Sequence, residues 1–257
     1  MKLSKKDSNQ NMLKHIKMHF KTDQNDRLIL ILFCISLQIL ILIRIKFPIL
    51  RGLNDTFIEN ILTSSITIEI TNDLSVGFIS ACIFYFLVTI IPKVRLITES
   101  TYTLNSLLAS LLDSYNRTRV FGHETPITHV DRSTLSIEWL DKTVEKLKKH
   151  DTQFLSLKFA LATAHTRYDD FKNTLQLANT LGAKPTLKWI VIVDKVRLIA
   201  ENYDKQPFVN NERIRSIDDP NIDDDIGLFK KTLEFRFQEF CEEVRDWIII
   251  YDSYEVK

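Results

Sequence analysis

Glycine and cysteine are scarce in this 257-residue chain, which contains five glycines and three cysteines. So few glycines disfavour enzymes with glycine-rich phosphate loops, and they disfavour sheet-rich folds with many tight turns. The GxSxG, HExxH and paired CxxC motifs are absent as well. We therefore expect that the protein is not an enzyme. A membrane enzyme with an unfamiliar site is kept as an alternative hypothesis.

The small number of cysteines also argues against a disulfide or a metal site. Cys34 and Cys82 fall inside apolar runs, where a thiol is a small apolar filler, and Cys241 is alone in the rest of the chain. His123 and His129 share a segment but have no cysteine or acidic partner at metal-ligand spacing. We expect no metal and no cofactor.

Charge is absent from two apolar runs, LILILFCISLQILILI at 28–43 and LSVGFISACIFYFLVTII at 74–91. A helix rises about 1.5 Å per residue, so a hydrocarbon core about 30 Å thick needs roughly 20 residues. A charged segment follows the first run where a cleaved signal would have small residues, which favours a span. We predict two transmembrane helices, at residues 28–48 and 74–92.

The charges that flank these runs predict the orientation. Residues 1–27 carry seven Lys/Arg and three Asp/Glu, whereas residues 52–73 carry four acidic residues and no basic one. Basic residues near span ends stay in the cytoplasm. We predict a cytosolic segment at 1–27, an extracytoplasmic loop at 49–73, and both termini in the cytoplasm. Within the loop, the β-branched residues of Ile61–Ile70 favour an extended piece or a hairpin.

The rest of the chain, residues 93–257, reads as an all-α bundle of about five helices. Leucines at 104, 107, 108, 111 and 112 lie on one face of a helix that runs from about Lys93 to Tyr115. Ser133 or Thr134 is the expected N-cap of the next helix, which ends near His150. A turn-rich connection at 116–132 precedes it.

Two further stripes complete this prediction. Apolar residues alternate at spacings of 3 and 4 from Phe154 to Ala178, where Gly182 and Pro185 end the pattern. This seam fits either a helix inside a bundle or an intersubunit coiled coil, and Tyr168 with several alanines favours the bundle. Leu187–Ala200 predicts a buried helix, with a short strand as the alternative. The last helix carries an apolar, aromatic stripe: Phe229, Leu233, Phe237, Phe240, Val244, Trp247, Ile248 and Tyr251.

Polar and small residues inside the spans are candidates for helix packing or for lining a pore. Side-chain polar groups in lipid need partners, and small residues let helices approach closely. A homo-oligomer with a pore between protomers and a simple hairpin anchor both explain them. Arg44 and Lys46 either snorkel to the interface or form a ring of charges. The candidates are Gln38, Arg44, Lys46, Gly77, Ser80, Ala81 and Thr89.

Basic residues after the second span are candidates for binding a phosphorylated ligand. They are Arg117, Arg119, His123 and Arg132, with a further cluster at Lys146, Lys148 and Lys149. Residues 93–257 carry 24 basic and 26 acidic side chains, so this is no general nucleic-acid surface. Solvated helix faces are the alternative interpretation.

The stretch SVGFISACIFYFLVTIIP at Ser75–Pro92, followed at once by basic residues and an amphipathic helix, resembles two-span membrane effectors of bacterial antiphage defence. These include the pore-forming subunit of Hailong-type systems and retron-associated transmembrane effectors. The resemblance implies an oligomeric pore in the bacterial inner membrane that depolarises the infected cell. It also implies that a nucleotide, an oligonucleotide or a partner protein at the cytosolic domain, residues 93–257, holds this pore inactive. The alternative is a membrane-anchored interaction or sensor module without channel activity.

Overall fold

The computed structural model describes residues 24–45, 64–117, 125–208, 218 and 225–256, and it contains no strand in these ranges. Two compact units divide between Leu96 and Ile97. The all-α prediction is confirmed. The helices are α1 Gln24–Ile45, α2 Ser65–Tyr85, α3 Ile91–Asn116, α4 Ile137–Lys148, α5 Phe154–Asn173, α6 Leu175–Asn179, α7 Ala183–Ala200 and α8 Asp225–Val256.

The first unit contains α1 and α2, which pack against each other. Gln24–Leu42 and Ser65–Asn116 are both long and apolar enough to cross a membrane. Only 6% of the apolar window in the first and 17% in the second is buried. A core helix of a soluble protein would be mostly buried, so these two helices are candidate membrane spans.

The prediction of an extended segment at Ile61–Ile70 is wrong for residues 65–70, which belong to α2. Each residue that is added to an existing helix gains one backbone hydrogen bond. This gain outweighs the preference of isoleucine and threonine for extended backbone. The hydroxyl of Thr71 donates to the carbonyl of Thr67 at 2.7 Å, so this polar side chain is satisfied inside the helix. Residues 61–63 lie outside the described residues.

A π-helical turn at Phe86–Ile90 joins α2 to α3 without a break in helical structure. Pro92 lies in the first turn of α3 and has no backbone N–H to donate to the preceding turn. The wider turn accommodates it, since the amide of Ile91 donates to the carbonyl of Phe86, five residues earlier. The helical segment therefore continues from Ser65 to Asn116, as the sequence predicts for the region after Pro92.

The second unit is a helical bundle built around α8. Helix α8 packs against α4, α5 and α7, and α5 also packs on α7. Tyr115 of α3 stacks on Phe237 at 4.5 Å between ring centroids, while the indole of Trp247 donates to the Asn105 side chain at 2.9 Å. These two pairs show that α3 runs antiparallel to α8. The prediction of about five helices is confirmed, with α6 as a short extra turn.

The apolar stripes predicted in this bundle form its core. Phe154, Leu161 and Phe171 of α5 are buried, and Tyr168 is partly buried against the same core. This packing confirms the intrachain bundle for the seam. The seam is broken at Thr174, which separates α5 from α6.

The sequence placed two local signals imprecisely. Gly182 directly precedes α7 and has a φ of +107°, a backbone conformation that residues with a side chain rarely adopt. Pro185 lies in the first turn of α7, where its missing N–H costs no helical hydrogen bond. The N-cap of α4 is Ser136, whose hydroxyl accepts from the amide of Trp139, while Ser133 and Thr134 form a short 3₁₀ turn before it.

Candidate functional site

The small and polar span candidates all lie on the outside of the two-helix unit. Gln38 is exposed on α1, as are Gly77, Ser80 and Ala81 on α2 and Thr89 in the π-helical turn. A Cβ atom at Gly77 would meet no atom within 4 Å. The small residues are therefore not what lets α1 approach α2, which removes that explanation for the Gly77–Ala81 pair.

A buried polar contact joins α1 to α2. The hydroxyl of Tyr85 donates to Asp26 Oδ1 at 2.6 Å, and Asp26 is only 3% exposed. A buried carboxylate needs such donors, so this bond fixes the pairing of the two helices at one end. Sequence reasoning missed it, although a phenol inside an apolar run and a carboxylate just before another were available as signals.

The second unit contains an open polar pocket of about 700 Å³. Its wall is formed by the end of α3, one face of α4, the α4–α5 turn and the start of α5. The lining residues that carry the argument are Tyr115, Trp139, Lys142, Lys146, His150 and Asp218. Burial raises the pKa of Tyr115, so its phenol stays neutral and can act as a hydrogen-bond donor.

Three lysines give one side of this pocket a positive charge. Lys142, Lys146 and Lys149 follow the spacing i, i+4, i+7 and therefore share a face of α4 and its C-terminal turn. Lys149 pairs with Glu145 at 2.6 Å. Lys142 and Lys146 are exposed, and no described residue forms an ion pair or hydrogen bond with either side chain.

His150 ends α4 in an unusual conformation. Its φ is +55°, and its amide donates to Leu147 while the amide of Asp151 donates to Lys146. This is the two-bond C-terminal motif in which glycine is the usual residue. A histidine here carries conformational strain, and such strain clusters at functional sites.

The half-exposed side chain of His150 joins two buried side chains, Glu234 and Thr152, in a polar cluster at the pocket. Its Nδ1 lies 2.6 Å from Oε2 of Glu234, whose carboxylate is almost fully buried, and the hydroxyl of Thr152 donates to the other oxygen. Asp218 accepts from the backbone amide of Phe154 at 2.7 Å and caps α5. The cluster thus ties the α4–α5 turn to α8.

Two of the predicted ligand-binding residues are engaged inside the domain. The guanidinium of Arg117 pairs with Asp113 one turn earlier, with Nε 3.2 Å from the carboxylate. The guanidinium of Arg132 lies 4.1 Å from the ring centre of Tyr102. Neither lines the pocket, whereas Lys146 and Lys149 of the predicted basic cluster do, and Lys148 instead pairs with Glu242 at 3.1 Å.

Four other candidate residues lie wholly or partly outside the described residues. Lys46, Arg119 and His123 lie outside the described residues. Arg44 belongs to the last turn of α1, and its side chain is outside them too. Within the described ranges, no group of three histidine, cysteine or acidic residues could hold a metal ion.

No protein-family model matches this chain, and no curated protein or solved structure matches it significantly.

Proposed function

We propose that this protein is an oligomeric, ion-conducting membrane protein of the bacterial inner membrane, gated by its cytosolic helical domain. Each chain contributes two spans, α1 and the α2–α3 segment, and a pore forms between protomers. Two helices cannot enclose an aqueous path, so conduction requires several copies.

The observation that carries the proposal is the position of Gln38. The middle of the apolar run falls at Ile35 and Ser36, so Gln38 lies roughly 4 Å from it along the helix axis. Its side chain is exposed, and no described residue bonds to it. An unpaired amide in hydrocarbon costs several kcal/mol, which lipid cannot offset. A second protomer or a water-filled path satisfies it.

The exposed small residues support close contact between protomers. Gly77 and Ala81 are one helical turn apart on α2, and Ala81 is exposed like Gly77. Such pairs let the backbones of neighbouring helices approach closely. The small face is consistent with a neighbouring copy as its partner.

The route for gating is the unbroken helical segment from Ser65 to Asn116. It includes the second apolar window, and its last residues, Tyr115 and Asn116, line the polar pocket of the helical domain. A rearrangement at the pocket therefore acts on the same helix that enters the membrane. The π-helical turn at Phe86–Ile90 gives that helix a place to change its hydrogen bonding.

The test is expression of the full chain, without any inhibitor, in bacteria loaded with a membrane-potential dye. We expect depolarisation, and we expect Gln38→Leu to reduce it because the amide is lost from the contact between protomers or from the pore wall. Ile39→Leu is the matched control, since it changes a neighbouring apolar side chain. Immunoblots of membranes verify equal amounts. A full-length protein that never depolarises the cells rules out the channel.

A membrane-anchored interaction module is the second candidate, favoured by an exposed apolar strip on α7. Leu187, Ile190 and Val191 are 66%, 46% and 40% exposed, at spacings that place them on one face. Replacing both spans by an unrelated helical hairpin separates the two functions. An anchored module keeps its cellular effect after the exchange, whereas a channel loses it.

The biological role that we propose is antiphage defence by depolarisation, which the resemblance of Ser75–Pro92 implies. Phage plating on cells with and without the gene and its neighbours tests this role. If the protein conducts ions but its gene never changes phage plating, the channel proposal stands and the defence role is contradicted.

A further inference from the structure

The polar pocket of the helical domain has the chemistry of a ligand site. We propose that it binds a nucleotide, with the phosphates against Lys142 and Lys146 and the base against Trp139. The binding itself rests on the pocket alone, while its regulatory consequence rests on the proposed channel function.

Lys142 and Lys146 are the residues that we expect to bind the phosphates of the ligand. Residues four apart on a helix have Cβ atoms about 5–6 Å apart, so both ammonium groups can reach one di- or triphosphate. Both side chains are exposed and unpaired among the described residues, so binding breaks no ion pair. Charge-assisted bonds to phosphate are stronger than neutral ones.

The base end follows from Trp139. It lines the pocket one turn before Lys142 and is only partly buried, while its ring packs edge-to-face on Tyr115 at 6.4 Å. An indole held this way offers a rigid surface for stacking, worth about 1–3 kcal/mol per base. A pocket lined by lysines alone would bind inorganic phosphate equally well, so Trp139 is what specifies an aromatic ligand.

The remaining wall fits the sugar. Asp151 and Asp218 contribute carboxylates to the lining, and Gln153 contributes an amide. One oxygen of Asp218 already accepts from the amide of Phe154 and lies 3.4 Å from the ammonium group of Lys230. Carboxylate oxygens accept hydrogen bonds from the hydroxyl groups of a sugar. The volume of about 700 Å³ is within the range of small-molecule sites.

The site also contacts the gating helix. Tyr115 and Asn116 end α3 and form part of the pocket wall. A ligand that bridges them to the lysines of α4 stabilises one arrangement of these two helix ends. Under the proposed function, that arrangement sets the open fraction of the channel.

The experiment measures equilibrium binding of ATP to the full chain in lipid nanodiscs, with adenosine and inorganic triphosphate as separate probes. We expect saturable ATP binding with a Kd below about 1 mM, weaker binding of each partial ligand, and a fall in affinity as salt increases. The variant Lys142→Ala/Lys146→Ala should weaken ATP binding by about tenfold or more. Lys142→Ala and Lys146→Ala are also measured singly, and the control for each single variant is Lys148→Ala, which removes one positive charge from the same helix outside the pocket.

Substitutions of Trp139 test the proposed stacking of the base separately. Trp139→Leu should weaken ATP binding about tenfold and leave triphosphate binding unchanged, while Trp139→Phe keeps a stacking ring and most of the affinity. Thermal unfolding confirms that each variant is folded. The proposal is overturned by absence of saturable ATP binding, by an equal loss in Lys148→Ala, or by triphosphate binding as tightly as ATP.

Because the readout is binding and not ion flux, the two proposals can fail separately. If the protein conducts ions but does not bind ATP, only the proposed nucleotide site is contradicted. If it binds ATP as expected but never conducts ions, only the proposed channel is contradicted.

Discussion

The substitution Thr152→Val tests the polar cluster of His150, Thr152 and Glu234 at the pocket. Thr152 is buried, and its hydroxyl donates to the carboxylate of Glu234, which is 1% exposed. Valine keeps the shape of threonine but cannot donate. The change leaves one oxygen of a buried carboxylate without its donor, while His150 still contacts the other.

The expected cost is about 1.5–3 kcal/mol, the usual contribution of a hydrogen bond to a charged group. For a domain of this size each kcal/mol shifts Tm by about 2–4 °C, so we expect a fall of about 3–12 °C. Thermal unfolding of the full chain in detergent, followed by tryptophan fluorescence, measures it. All three tryptophans, Trp139, Trp189 and Trp247, lie in the helical domain, so the signal reports that domain.

Thr166→Val is the matched control. Thr166 is exposed on α5, and its hydroxyl donates only to backbone carbonyls of its own helix, Ala162 at 3.1 Å and Thr163 at 3.3 Å. Its loss should change stability by no more than about 0.5 kcal/mol. A Thr152→Val protein that melts within error of Thr166→Val would refute the role of the cluster.

Three other perturbations follow from single contacts. Tyr85→Phe removes one hydrogen-bond donor to buried Asp26 and should lower the thermal aggregation midpoint in detergent, while Tyr102→Phe should not. Cys241 is fully buried and burial raises the pKa of its thiol, so in a Cys34→Ala/Cys82→Ala background a maleimide should label the protein only after unfolding; labelling of the folded chain would contradict this. Arg132→Ala loses its contact with the Tyr102 ring, worth about 0.5–1 kcal/mol, so Tm should fall slightly while ATP affinity stays unchanged.

Long periodic segments were predictable because their pattern is local. The stripe from Phe229 to Trp247 repeats at helical spacing, and those residues are buried in α8. The apolar face from Leu104 to Leu112 is buried in α3 for the same reason. Periodicity reports which side of a helix meets the core, so it survives in any bundle.

Helix boundaries and the pocket were less accessible to sequence reasoning. Helix α2 begins at Ser65 although its first residues prefer extended backbone. The hydrogen bonds gained by extending a helix that has already formed outweigh that preference. The pocket joins Tyr115, Lys146 and Asp218, which are far apart in sequence and meet only in the folded bundle. The pairing of Arg117 with Asp113 was accessible as an i, i+4 ion pair, whereas the contact of Arg132 with Tyr102, 30 residues away, was not.

We propose that the two spans conduct ions as an oligomer, and recording from a planar bilayer that contains the purified full-length chain is the decisive measurement. We expect discrete conductance steps that become rarer with Gln38→Leu and persist with Ile39→Leu. An inserted, folded protein that gives no conductance steps under an applied potential would contradict it.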